Sequence, residues 1–191
     1  QDDDSCQSLA TQILKVNNSQ NSSQFPFVLY LRALSLHRTG QSNQALKDLD
    51  RVLIKYPNFE KLEEVVFMKA EILHQTQQWQ KSRDAFFFYI SEYFQGSYYS
   101  SAYRYFLDSS LSSLEREKQN YDKEKIFAKR EQSIVDLEKI LEQKGVLLDE
   151  EKATFLLVLG RLYYEQNLYP QSLEAMGFFI KDNPKHKDLY Q

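Results

Sequence analysis

The sequence predicts an all-α protein assembled from antiparallel helix pairs, about nine helices in all, and three observations carry that reading. Small residues at Ala45, Ser82, Ser133 and Ser172 are each followed four positions on by a large apolar side chain (Leu49, Phe86, Leu137, Met176). Another follows three positions later (Val52, Tyr89, Ile140, Phe179), an offset that lines one face of a helix. The chain has only five Gly and four Pro, with no Pro between Pro57 and Pro170, too few turn formers for a sandwich of many short strands. Tyr and Phe occur 13 times each, above ordinary usage, which suits wide, ring-filled contacts between helices. A chain of 191 residues removes about 70% of its unfolded surface from water on folding, so one folded unit or one run of repeats is expected.

Taken in order, residues 5 to 17 carry Leu9, Ile13 and Val16 on one helical face, followed by the polar loop "NNSQNSSQ". Residues 1–24 therefore read as a capping helix and loop, or the remnant of an upstream repeat. Four helix pairs are expected at 25–58, 59–96, 97–145 and 146–184. Twelve residues before Ala45, Ser82 and Ser172 stand Ala33, Ala70 and Gly160, small enough in the first helix of a pair to let its partner approach. Twelve residues after the four anchors come Pro57, Phe94, Gly145 and Pro184, two of them prolines that close a pair. Ser42 is placed to cap the second helix of the first pair, after Gly40 ends its first helix. Asp149, Glu150 and Glu151 put acids at the positive end of a later helix, and Pro170 sits at a helix start, where its missing N–H costs nothing.

The third pair departs from this spacing. Ala102 and Ser133 are 31 residues apart where the other pairs have 12, and the surplus, "SLEREKQNYDKEKIFAKREQ", is charged and helical in composition. Both helices are expected to lengthen over about residues 112–131 into a paired arm with its tip at Lys118, Gln119, Tyr121 and Lys123. That arm is either a contact for a partner or a solvated hairpin. Residues 185–191 begin a further helix or a tail, so an apolar face is expected where stacking is interrupted.

A small residue in helix A, a turn Gly and aromatic, a small residue early in helix B and a closing Pro together resemble the tetratricopeptide repeat. The resemblance covers most of residues 25 to 184. Gly40 fits its turn glycine, and Trp79 and Tyr169 its turn aromatic, while Gln77 and Asn167 stand where the glycine would be. The resemblance implies a right-handed α-solenoid with an elongated third helix pair, and a scaffold that binds other proteins. Repeat spacings of 37 and 39, with segments such as "KYPNF" and "EYFQGSYYSSA", are similar to bacterial envelope members: the β-barrel-assembly lipoprotein, cell-division coordinators and flagellar-motor scaffolds. Further repeats or domains of the same chain, an N-terminal segment removed before Gln1, and a periplasmic or envelope location follow as expectations. A cytosolic adaptor, or the regulatory repeat domain of a multidomain enzyme, is the alternative.

In this family the concave face is built from fixed helix A positions. Here they are Phe27, Tyr30, Leu34 and His37, then Glu64, Phe67, Glu71 and His74, and in the last pair Thr154, Leu157, Arg161 and Tyr164. The Lys, Asn and Arg clamp of chaperone-tail receptors is missing from the first two pairs. The aromatic and aliphatic mix suits an apolar or amphipathic peptide laid in a groove. Alternatively, Tyr30, Leu34 and Phe67 pack on a neighbouring helix.

The residues suggest no chemistry, and the chain is expected not to be an enzyme. It has three His and one Cys and lacks a phosphate loop, dinucleotide glycine run, HExxH or calcium loop. His37 and His74 share a face but have no third ligand, so neither a metal nor a cofactor is expected. Glu63 with Glu64, and Glu150 with Glu151, are adjacent in sequence and point apart on a helix. A net charge of −3 gives no basic stripe for nucleic acid, and no run approaches the roughly 18 apolar residues of a membrane span. Cys6 reads as an ordinary helix residue or a link to another chain. Asn17-Asn18-Ser19 and Asn21-Ser22-Ser23 match glycan acceptors, a match that is frequent by chance in such loops.

Overall fold

The computed structural model describes residues 2–16, 24–119, 122–142 and 149–182, which form nine α-helices and no strand. In chain order these are α1 (Asp2–Val16), α2 (Phe25–Arg38), α3 (Ser42–Lys55), α4 (Leu62–Gln75), α5 (Trp79–Glu92), α6 (Tyr99–Gln119), α7 (Lys123–Glu142), α8 (Asp149–Glu165) and α9 (Tyr169–Asp182). They form two compact units, Gln1–Tyr105 and Phe106–Gln191, the division falling inside α6. Pro184, Gly145 and His186, both glycan triplets and Tyr121 lie outside the described residues.

In the first unit, α2 pairs with α3 and α4 with α5. Ala33 and Ala45, twelve positions apart, are both fully buried, as are Leu29, Leu49, Val52, Val65 and Ile72 around them. Ala70 and Ser82 repeat the contact one pair on, with the Ser82 hydroxyl donating to the Ala70 carbonyl at 3.2 Å. A buried serine can take the anchor position because its O–H finds that carbonyl. The first helix starts three residues earlier than its apolar spacing indicates: the Asp3 carbonyl accepts from the Ser35 hydroxyl at 2.7 Å, which ties the acidic first turn to α2.

The turns inside three of the pairs share one hydrogen-bond scheme. Gly40 has φ +78°, and the N–H of Gln41 reaches back to the Leu36 carbonyl at 2.8 Å. Gln77, at φ 57°, and Asn167, at φ 61°, hold the same place, with Gln78 N–H on Leu73 O and Leu168 N–H on Tyr163 O, both 2.9 Å. The left-handed backbone is thus retained where the glycine is not. Both residues have a Cβ that crowds the following carbonyl, but the short polar side chain of Asn can hydrogen-bond locally, so it tolerates the conformation better than Gln. Gln77→Gly should therefore stabilise the chain by about 1 kcal/mol in urea denaturation, and Asn167→Gly by less. Ser42 does not cap α3: it is the first helical residue, behind Gln41, whose side chain makes no cap bond.

In the second unit α8 and α9 repeat the close contact. The Ser172 hydroxyl donates to the Gly160 carbonyl at 2.8 Å, and a Cβ on Gly160 would lie 2.7 Å from Met176 Cε. The long pair α6 and α7 is registered differently from the Ala102 to Ser133 alignment. Lys129 Nζ donates to Ser113 Oγ at 3.1 Å and to Glu117 Oε1 at 2.7 Å, which brings Ser133, one turn along α7, level with Ser109, one turn back along α6. Ser109, Ser110, Ser113 and Ser133 are all buried, and the Ser110 and Ser133 hydroxyls donate to the Phe106 and Lys129 carbonyls of their own helices.

Candidate partner-binding surfaces

On α2, Phe27 is 37% exposed, and its ring centroid lies 6.3 Å from Tyr30 and 6.4 Å from Phe59. Tyr30 and Phe59 stand 6.3 Å apart and close the triangle. Phe59 belongs to the "KYPNF" turn, and the repeat pattern did not single it out. Beside these rings a groove of about 810 Å³ is lined by Pro26, Phe27, Val28, Tyr56, Pro57 and Phe59, with Gln24, Lys55, Asn58 and Glu60 at its edges. Pro26 near the start of α2 and Pro57 after α3 hold the walls without unpaired N–H groups.

A polar chain fixes the Tyr30 ring. Its hydroxyl donates to Glu64 Oε2 at 2.8 Å, and Lys61 Nζ donates to Glu64 Oε1 at 2.9 Å. Burial, then the bond to Glu64, raises the Tyr30 pKa to about 12; Lys61, then Tyr30, holds the Glu64 carboxyl below its usual range. Leu34 is half-buried against the core of the first unit. His37 sits in the last turn of α2, with Nδ1 buried and without a hydrogen-bond partner among the described residues.

The row on α4 is covered. Phe67 is only 8% exposed: Tyr98 stacks on it at 4.5 Å, and Phe86, Tyr89 and Tyr105 crowd it at 5.6 to 6.3 Å. Tyr105 also meets His74 edge-on at 4.9 Å, and the Trp79 ring meets His74 at 5.1 Å. Burial, then the charge of its neighbour Glu71, raises the Tyr105 pKa. Of the two readings open for Phe67, internal packing is the one its surroundings match. The aromatic run of the "QGSYYSSAYRY" segment that supplies Tyr98 and Tyr105 was the available signal.

In the second unit, the row on α8 is open. Thr154 is exposed, Leu157 leans on the small core of Ala153, Leu156 and Phe179, and Arg161 Nε pairs with Glu165 at 3.2 Å. Tyr164 is 64% exposed, its ring 5.7 Å from Tyr169, a pairing at the same repeat positions as His74 with Trp79. The charged extension is tied to the end of α8 at residues that include Lys118, close to the tip of the expected arm. Glu165 receives Arg130 at 2.8 Å and Lys118 at 3.6 Å, and the Gln166 amide donates to the Phe127 carbonyl at 3.0 Å. Lys118 is thereby engaged, while Gln119 and Lys123 are exposed.

Among the described residues, no three His, Cys, Asp or Glu gather in a way that could hold a metal ion, and no helix is long and apolar enough to cross a membrane. Cys6 is a half-buried free thiol in α1.

Residues 27–58, which contain most of α2, all of α3 and the closing Pro57, match the tetratricopeptide repeat family. Two solved structures have a similar fold. "MamA RS-1 ArsTM double mutant" aligns at a TM-score of 0.50 with 14% identity, covering 97% of this chain and 96% of that one. "Crystal structure of MamA" aligns at 0.50 with 16% identity, over 96% and 90%. At such identity the likeness is one of fold. No curated protein matches the chain by sequence.

Proposed function

We propose that this chain, with its tetratricopeptide repeat at residues 27–58, is a non-catalytic scaffold that holds a partner protein by an apolar segment laid against Phe27, within an assembly of the bacterial envelope. The observation that carries the reading is the contrast between the rows of two successive repeats. Phe67 on α4 and Tyr30 on α2 hold the same position, but Tyr98 and Tyr105 cover Phe67, while Tyr30 is half-buried and Phe27, one turn before it, stands 37% exposed beside an apolar groove of about 810 Å³. Burying the exposed third of this ring against a partner contributes about 0.5–1 kcal/mol, to which the other apolar residues lining the groove add. The preset Tyr30, Phe59 and Glu64 arrangement means little ordering is needed when a segment arrives. Tyr164 on α8 and the exposed Gln119 and Lys123 of the long pair are further contacts within the proposal.

The test is site-specific photocrosslinking in the native cell, with a photoreactive residue at Phe27, at Tyr164 and, as a buried control, at Phe67. The expected result is one partner captured from Phe27 and absent from Phe67, identified by mass spectrometry and released by Phe27→Ala. Capture of only the chain's own peptides would overturn the scaffold reading. A cytosolic partner would retain the scaffold and overturn its envelope setting.

A further inference from the structure

A second groove, of about 420 Å³, lies in the second unit between α7, α8 and α9, away from the α8 row described above. Its floor is apolar, with Leu156 and Tyr163 from α8 and Phe178 from α9, the last 49% exposed. Glu138 and Glu142 from α7 and Glu174 from α9 stand around it, and among the described residues lining it there is no Lys or Arg. The Tyr163 hydroxyl donates to Glu138, and burial, then this carboxylate, raises the Tyr163 pKa, with Glu174 adding to the shift.

The repeat supplies an internal comparison. In the first unit a groove of about 550 Å³ between α3, α4 and α5 uses the same register: Val66, Leu73 and Phe88 lie ninety positions before Leu156, Tyr163 and Phe178. Phe88 is 51% exposed, matching Phe178. The charges differ. There Asp50 and Asp84 are accompanied by Lys69 and Lys81, and Lys69 Nζ meets Asp50 Oδ1 at 2.7 Å. The two lysine positions become Leu159 and Gln171 in the second unit, while the acid at Asp84 persists as Glu174. One groove is neutralised from within; the other keeps its acids and has no cation among the described residues that line it.

We infer that the α7, α8 and α9 groove docks a basic amphipathic segment of a partner protein, one that sets a bulky apolar side chain against Phe178 and Leu156 with Lys or Arg beside Glu138, Glu142 and Glu174. An apolar segment without cations leaves those carboxylates desolvated and unpaired, and a phosphate-bearing polymer is repelled by them. This surface is independent of the Phe27 groove, so failure of either leaves the other standing.

The probe is a short fluorescent peptide with leucines at helical spacing and lysines between them, titrated into the full chain by anisotropy at physiological salt. Glu142→Lys with Glu174→Lys should weaken binding by about tenfold, and Phe178→Ser, at an exposed position, should weaken it as well. Glu124→Lys with Glu131→Lys, which changes net charge equally elsewhere on the unit, should leave binding within about twofold. A peptide with glutamates in place of the lysines should bind the Glu142 and Glu174 double variant and not the native chain. Absence of peptide binding, or equal loss in both double variants, would overturn the assignment. If the groove variants instead dissociate an oligomer in sedimentation, the occupant is a second copy and the foreign basic segment is excluded.

Discussion

Replacing Arg32 with alanine should lower the unfolding free energy of the chain by about 3 kcal/mol and its melting temperature by about 6–12 °C. Arg32 joins three helices. Its Nε reaches Asp48 Oδ2 at 2.7 Å, Nη2 reaches Oδ1 at 2.6 Å, and Nη1 donates to Thr11 Oγ1 at 3.3 Å, so one side chain of α2 fastens both α3 and α1. Asp48 is 6% exposed, and alanine at position 32 would leave its buried carboxylate with the fork of donors gone. Lysine offers one point charge in place of the fork, so Arg32→Lys should recover only part of the loss. Arg32→Met combined with Asp48→Leu removes both charges and should recover most of it. The measurement is urea denaturation followed by circular dichroism. A cost under about 1 kcal/mol for Arg32→Ala would mean that the pair behaves as a surface ion pair, hydrated in the folded state.

The second large effect is expected at Gly96. Its backbone is not in the left-handed region, so the requirement for glycine is one of space. A Cβ there would lie 2.6 Å from Glu63 Oε1, 2.7 Å from the Tyr89 hydroxyl and 3.0 Å from the Tyr93 carbonyl. Those atoms are fixed by one another. Glu63 Oε1 accepts from Tyr89 at 2.7 Å and from the Ser97 N–H at 2.6 Å, and the Tyr89 hydroxyl accepts from the Tyr98 N–H at 3.1 Å. Tyr89 is fully buried and cannot swing away. Gly96→Ala should therefore cost about 2 kcal/mol, through overpacking and the bonds it disrupts. Tyr89→Phe removes one of the obstructing atoms, so the double variant should lose measurably less than the two single losses combined. Strict additivity in the same denaturation series would show that the methyl group is accommodated without touching this cluster. The junction also orients Tyr98, the ring that stacks on Phe67, so loosening it should raise the exposure of the α4 row.

How much of this was legible before folding depends on how local each feature is. The contacts of Ala70 with Ser82 and of Gly160 with Ser172 were readable because two helices joined by a tight turn bring residues twelve apart together wherever both are small. Gln77 was readable only as a departure from the turn glycine, and its left-handed backbone came from the structure, against the residue's own preference. The register of the long pair was not readable from that spacing. Lengthening both helices moves their crossing, and only the Lys129 bonds to Ser113 and Glu117 show where it falls. Phe59, which completes the triangle with Phe27 and Tyr30, lies in a turn outside the helical period.

By itself the sequence determined the all-helical class, the helix pairs and the short turns within them. These depend on the 3.6-residue period, on small residues where backbones meet, and on the scarcity of Gly and Pro, all properties of neighbours along the chain. Only the tertiary structure decided which repeated positions remain open to a partner. Phe67 and Tyr30 hold the same repeat position, yet Tyr98 and Tyr105 cover Phe67, while Tyr30 is half-buried with Phe27 beside it at the edge of a groove. The tertiary structure likewise decided that Glu165, already beside Arg161 on its own helix, would also gather Arg130 and Lys118, cations 35 and 47 positions away. Exposure and charge pairing are set by whatever packs alongside, and that neighbour comes from elsewhere in the chain, where no local period can announce it.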